Sequence, residues 1–231
     1  MKCDLCPRKC LVDRKKGEKG ICGQTENLKV ARAALHFWEE PCISGDAGSG
    51  AVFFSGCPLH CVFCQNENIA NGTVGKEISL ERLVDIFLEL QEKRANNINL
   101  VTPGHFVPQI VKALDQARKE GLTLPVVYNT SSYETVDTIK MLEGYVDIYL
   151  PDFKYMSPVL SKKYSHAPDY AEVAKAAIAE MVRQTGKAVF VNGDEDNLIL
   201  SGTIVRHLTL PGCMADSMQI LKYLHDTYGD M

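Results

Sequence analysis

Apolar positions along this chain follow two alternating spacings. Short apolar runs such as Ala51–Ser55 (Ala-Val-Phe-Phe-Ser) have the length and content of buried strands. Between such runs, apolar residues recur every three or four positions. Leu80, Leu83, Val84, Phe87 and Leu90 share one helical face, with Ser79 placed to cap it. Ile98–Thr102 is the next strand. Val107, Ile110, Val111 and Leu114 mark a helix that closes near Gly121. Leu124–Tyr128 and Val146–Leu150 are further strands, separated by a short helix on Val136, Ile139 and Leu142. Asp169 starts a helix carrying Tyr170, Val173, Ala177, Ile178 and Met181, with Glu172 placed for a capping box and Gly186 at its end. Thr203–Leu210 reads as a fifth strand, and Met218, Leu221, Leu224 and Tyr228 as a final helix.

Repeated strand–helix units predict an α/β fold with a parallel sheet or barrel. Right-handed crossovers place every strand's C-terminal end on one face, where such folds keep their chemistry. Those ends are polar here: Thr102-Pro-Gly-His105, Asn129-Thr-Ser-Ser132, Asp152-Phe-Lys154 and Leu210-Pro-Gly212. The loop Gly56–Cys64 follows the first strand and opens onto the same face. Residues 1–30 differ, with cysteines at 3, 6, 10 and 22 and little apolar period. The chain therefore divides into a Cys-rich metal-binding module, 1–35, and a core domain, 36–231. It stops just after the fifth helix, so it is either naturally short or a piece of a longer protein.

Composition adds limits. Apolar residues make up 45% and charged residues 23%, enough for a sizeable core. A net charge of −4 gives no argument for a DNA or membrane surface. No apolar run approaches a membrane span, and the start, Met-Lys-Cys-Asp-Leu-Cys, lacks a signal core, so a cytoplasmic protein is expected. Nine cysteines is a high count for that compartment, and two tight clusters hold seven of them. A reducing compartment disfavours disulfides, so the clustering points to metal.

Cys57-Pro-Leu-His-Cys61-Val-Phe-Cys64 has C-x3-C-x2-C spacing. Three thiolates on a short loop can grip three irons of a cubane. Iron–sulfur clusters usually take four cysteines, so three leave one iron open for another ligand. A thioredoxin-like pair at Cys61 and Cys64 would leave Cys57 unexplained. Structural zinc would need His60 or Cys42 as a fourth ligand.

The motif, with Phe63 before its last cysteine, resembles the signature of radical S-adenosylmethionine (AdoMet) enzymes. The chain is similar to the pyruvate formate-lyase activating enzyme family, in the branch with an N-terminal cysteine module. Supporting segments are Gly45–Cys57, Cys64-Gln-Asn, Tyr128-Asn-Thr-Ser, Leu150-Pro-Asp-Phe-Lys and Arg206-His-Leu-Thr-Leu-Pro-Gly, over residues 36–225. The resemblance implies a partial (β/α) TIM-like barrel of parallel strands with about five β/α units. It also implies a 4Fe–4S cluster on Cys57, Cys61 and Cys64, with AdoMet on the open iron. Phe63, Thr102, Asn129, Thr130, Asp152, Lys154 and Arg206 become candidate cofactor contacts. Where the family carries Gly-Gly-Glu this chain reads Thr102-Pro-Gly-His, leaving the Thr102 hydroxyl or a backbone carbonyl for the AdoMet amine. Asn129-Thr-Ser-Ser takes the place of Asp-Thr-Asn-Gly, near the ribose and a monovalent cation. Lys154 would pair with the AdoMet carboxylate, and Asp152 would bind the cation or orient Lys154. Arg206 resembles a further AdoMet contact.

Cys3, Cys6, Cys10 and Cys22 supply four thiolates for zinc or a second iron–sulfur cluster. Cys42 and Cys213 stay unassigned. The resemblance implies anaerobic chemistry, an electron donor of flavodoxin or ferredoxin type, and a glycyl radical enzyme as protein substrate. Radical chemistry on a small molecule or RNA is the alternative, and an electron-transfer protein without catalysis is a third reading.

Overall fold

A computed structural model describes residues 2–193 and 197–229. Its centre is an open sheet of eight strands. These are β1 (Lys29–His36), β2 (Ser49–Phe54), β3 (Lys76–Glu77), β4 (Ile98–Val101), β5 (Val126–Thr130), β6 (Ile148–Pro151), β7 (Val189–Phe190) and β8 (Ile199–Thr203). Their order is β3-β1-β2-β4-β5-β6-β8-β7. β2, β4, β5, β6 and β8 run parallel. β1, β3 and β7 pair antiparallel at the two sides. The helices are α1 (Pro41–Ser44), α2 (Glu67–Ala70), α3 (Leu80–Glu92), α4 (Val107–Lys119), α5 (Val136–Lys140), α6 (Pro158–Ser165), α7 (Tyr170–Thr185) and α8 (Met214–Tyr228). The fold is thus a mixed α/β architecture on a mostly parallel sheet. Among the described residues no helix is long and apolar enough to cross a membrane.

Strand alternation sorts the core into layers. Val52, Phe54, Ile98, Leu100, Val126, Tyr128 and Tyr149 face the layer of α3, α4 and α7, joined by Leu83, Val84, Phe87, Leu90, Ile110 and Met181. Each large side chain fully buried this way contributes about 1.5–3 kcal/mol. Val127, Ile148 and Leu150 line the opposite face with Ile43 and Ile199. The segment carrying α1 therefore lies across that face of the sheet. A third cluster, around Leu59, Tyr133, Phe153, Tyr155 and Tyr170, packs beneath the cysteine loop and α6–α8.

Ser79 caps α3 as expected, its hydroxyl accepting from the Arg82 amide at 3.2 Å. Two expectations are corrected. The fifth parallel strand is Ile199–Thr203, not Thr203–Leu210. Gly202 explains the shift: a Cβ there would sit 2.5 Å from the Ala188 backbone, so a bare glycine lets β7 close against β8. Beyond Thr203 the chain still meets β6, the Ile204 amide donating to the Tyr149 carbonyl at 2.9 Å, and it pairs again at the bridge between Asp152 and Arg206. The capping box on α7 does not form. Asp169 instead accepts the Tyr133 hydroxyl at 2.9 Å, and Glu172 pairs with Lys175 at 2.9 Å. β1, β3, β7 and α6 were not expected from the pattern. Residues 29–36, which straddle the division placed after residue 35, run as one strand into the main sheet.

Candidate active site

The loop Gly56–Cys64 leaves β2 at its C-terminal end. Gly56 has φ +89°, and the Cys22 carbonyl lies 2.4 Å from where its Cβ would be, so only glycine fits. Cys57, Cys61 and Phe63 pack on the cluster of Leu59, Tyr133, Phe153, Tyr155 and Tyr170. The Phe63 ring meets Tyr155 and Tyr164 edge-on, each at 6.3 Å between centroids. Burial pushes the Cys57 thiol up to about 11, with the His60 and Leu59 amides pulling the other way and the charges of Cys61 and Cys64 adding. Burial also raises Cys64, opposed by the Asn66 amide, with Cys61 and Lys154 acting on it through charge. The three sulfurs therefore share one electrostatic neighbourhood. Amide donors favour the thiolate that iron requires. The Ser165 hydroxyl adds another, donating to the Cys61 sulfur at 3.2 Å. The donor set fits a 4Fe–4S cluster held by three cysteines.

Beside these thiols lies a chain of charges. Lys154 Nζ donates to Asp152 Oδ2 at 2.6 Å, and Arg206 Nε to Asp152 Oδ1 at 2.9 Å. Arg206 Nη2 donates to Asn129 Oδ1 at 2.7 Å, and Nη1 to Glu39 at 3.2 Å and Glu40 at 3.5 Å. Asn129 Nδ2 closes the network on Glu39 at 3.3 Å. Burial works against the Lys154 ammonium, yet Asp152 and Cys61 hold it above the ordinary range. Burial likewise opposes the Arg206 charge and is outweighed by Asp152, Glu40 and Glu39. Glu39 is raised by burial and by Glu40, with Arg206 pulling it back. Both Asp152 oxygens are taken by N–H donors, which favours its orienting role over direct cation binding.

Lys154, Asp152, Arg206 and Asn129 thus come together next to the cysteine loop. Thr102 lies just past β4 at φ +55°, its amide donating to the Asn129 carbonyl at 2.9 Å. Thr130 points the other way, because adjacent strand residues face opposite sides. Its hydroxyl donates to Glu134 at 2.7 Å, under the helical layer. Cys3, Cys6, Cys10 and Cys22 form a separate group. Arg14 anchors it to the His105 carbonyl at 2.6 Å, and Thr138 donates to the Leu5 carbonyl at 2.7 Å. Cys42 is on α1 beside Ile43, and Cys213 precedes α8. Sequence reasoning missed Glu39, Glu40 and Ser165. No motif marks them; only the folding of residues 37–44 across the sheet reveals the two glutamates.

His105 is buried rather than open to the site. Its Nε2–H donates to the Ser55 carbonyl at 2.7 Å, and its Nδ1 has no partner among the described residues. Burial pushes its pKa down from 6.5 to about 3, with Arg14 adding to the effect. The unfolded chain takes up a proton below about 6.5 that the folded chain refuses until about 3. Stability therefore falls as pH drops through that window, by about 2 kcal/mol between pH 7 and pH 5. In urea unfolding at both pH values, His105→Gln is expected to lack this part of the loss. Parallel losses in wild type and variant would refute the assignment.

The family model of the radical SAM superfamily matches residues 51–196. The chain is also similar to an uncharacterized protein of Methanocaldococcus jannaschii, 28% identical over 215 residues. The aligned part is 90% of this chain and 57% of that relative, so the chain spans little more than half the length of the curated relative. The match starts in β2, takes in the C-x3-C-x2-C loop and runs through β4, β5 and β6 to β7: this chain belongs to the radical SAM superfamily, enzymes built around a 4Fe–4S cluster and AdoMet.

Proposed function

We propose that this chain cleaves AdoMet reductively and hands the radical to a protein partner, as pyruvate formate-lyase activating enzymes do. One observation carries the AdoMet part: Lys154 lies within charge reach of Cys61 and Cys64 while Asp152 and Arg206 fix its ammonium. When bound, the cluster supplies the electron that splits the sulfonium bond and yields a 5′-deoxyadenosyl radical.

The chain's own residues do the rest. Lys154 presents a point charge to the AdoMet carboxylate. Asp152 holds that lysine in place and keeps it protonated. Arg206 and Asn129 present N–H groups from the neighbouring strand ends. Leu59, Phe63, Tyr155 and Tyr170 keep water from the cysteine side, which protects a reactive radical. For a macromolecular partner, the support is the resemblance and an open, unclosed sheet. Phe37 and Trp38 also lie beside Glu39 with Trp38 89% exposed, an apolar pair of the kind partners cover. A reduced flavodoxin or ferredoxin would supply the electron.

The test is anaerobic. The protein is reconstituted with iron and sulfide, mixed with AdoMet and dithionite, and assayed for 5′-deoxyadenosine. Release of deoxyadenosine and methionine is expected. A glycyl radical signal appearing in a candidate partner would complete the reading. Deoxyadenosine release stimulated by RNA or a small molecule instead would move the substrate class. None from cluster-loaded protein would return the chain to the electron-carrier reading.

A further inference from the structure

The N-terminal cysteines are not used by this chemistry, yet they are built into one group. Cys3 pairs with the far side of a small loop, its amide donating to the Val12 carbonyl at 2.9 Å and its carbonyl accepting from Leu11 at 3.0 Å. Lys9 and Leu11 both take left-handed backbone, which folds the chain tightly around Cys10. The Cys10 and Cys22 sulfurs lie 3.1 and 3.5 Å from the position a Cβ on Gly20 would take. Cys6 feels the charges of Cys22 and Cys3, and Cys22 those of Cys3 and Cys10. The buried Arg14 sets Nη1 at 3.9 Å from the Cys3 sulfur.

Two features match this group to the catalytic one. Backbone amides two residues on donate to Cys6 (from Arg8) and Cys22 (from Gln24), as they do to Cys57 (from Leu59) and Cys64 (from Asn66). Zinc–sulfur bonds of about 2.3 Å bring four thiolates to roughly 3.8 Å from one another. Among the described residues neither cysteine set converges on a single-ion site. Cys3-x2-Cys6-x3-Cys10 with the distant Cys22 is a compact triplet plus one, a spacing that suits a cubane and brings the full complement of four thiolates.

Four contacts then join the two groups. Arg8 donates from Nε to the Pro58 carbonyl at 2.9 Å, and from Nη2 to the carbonyl of Ser165, whose hydroxyl holds Cys61. His60 Nε2 donates to the Ile21 carbonyl at 2.9 Å. The Cys22 carbonyl packs on Gly56.

We propose that Cys3, Cys6, Cys10 and Cys22 hold a second 4Fe–4S cluster, seated against the loop that carries the first and within its magnetic reach. The first cluster's identity rests on the radical SAM reading; the iron content of the N-terminal site does not.

The test uses the full chain reconstituted anaerobically with iron and sulfide. Wild type is expected to hold about eight irons and eight sulfides, and a Cys57→Ala, Cys61→Ala, Cys64→Ala variant about four of each. A variant with Cys3, Cys6, Cys10 and Cys22 all replaced by Ser is also expected to hold about four. After reduction by dithionite, one electron per cluster, the wild-type paramagnetic resonance spectrum should differ from the sum of the two variants' spectra. A triple variant that is folded by circular dichroism but carries zinc, or no metal, would overturn the proposal. So would a wild-type spectrum equal to the sum. If the triple variant does not fold, equal iron in wild type and the quadruple variant refutes the site. Deoxyadenosine release plays no part in these readouts, so a failure here is separable from a failure of the proposed function.

Discussion

Cys61→Ala should abolish deoxyadenosine release, a drop of more than about a thousandfold, or over 4 kcal/mol in barrier. The loop offers three thiolates and no spare, and among the three Cys61 is the one held by the Ser165 hydroxyl at 3.2 Å. Two remaining cysteines cannot fix three irons while leaving one open. The loss should therefore come with loss of catalytic-site iron, not weaker AdoMet binding alone. Ser165→Ala separates the two effects. It removes the hydrogen bond to sulfur, and with it the one to the Tyr155 hydroxyl, and leaves the ligand set intact, so iron should stay while the reduction potential moves. Deoxyadenosine release by Cys61→Ala at near wild-type rate would dismiss this loop as the cluster site.

The second large effect is expected at Arg206. One guanidinium satisfies Asp152, Glu39, Glu40 and Asn129. Arg206→Leu would leave three carboxylates facing one another with Lys154 as the nearest cation. Breaking a fully buried ion pair costs about 3–5 kcal/mol. The Arg206 side chain is 26% exposed, and solvent screening brings the expected loss to about 2–3 kcal/mol. For a domain of this size that is a Tm lower by roughly 5–10 °C. AdoMet affinity should fall as well, because Asp152 loses its second anchor and swings Lys154 with it. Arg206→Lys should recover little, since one ammonium cannot reach acceptors on several sides in the plane of a fork. Adding Glu39→Gln to Arg206→Leu should recover part of the stability by removing an unpaired charge, a coupling that thermal melts of the four proteins would expose. Strictly additive losses would mean that Glu39 and Arg206 do not act on each other.

Helix faces and buried strands were legible because burial imposes periods of 3.6 and 2 on the sequence. Leu83, Val84, Phe87 and Leu90 are all in the core where their spacing put them. The cysteine loop was legible because metal ligation constrains residue type and spacing together. What escaped has a different cause. β1 reads Lys-Val-Ala-Arg-Ala-Ala-Leu-His, with arginine and small residues in place of a β-branched run, and its strand character comes from pairing with β2. Arg206 was expected within a strand, but a lone bridge just past β8 is enough to aim it at Asp152. Glu39 and Glu40 gain their role through tertiary approach to Arg206, far along the chain, which no local pattern encodes. Thr130 and Asn129 look equivalent in sequence, yet neighbouring strand positions face opposite layers.

Arg8 also bears on how the chain comes to be assembled. Its guanidinium ends on the carbonyls of Ser165 and His166, the latter 158 positions along the chain. During synthesis the first residues emerge long before their landing place exists. Contacts of such sequence separation form late, after shorter-range pairing has closed the intervening loops. The segment carrying Cys3, Cys6, Cys10 and Cys22 therefore lacks its Arg8 anchor until α6 has emerged and docked. Through that interval their thiols are open to oxidation or stray metal.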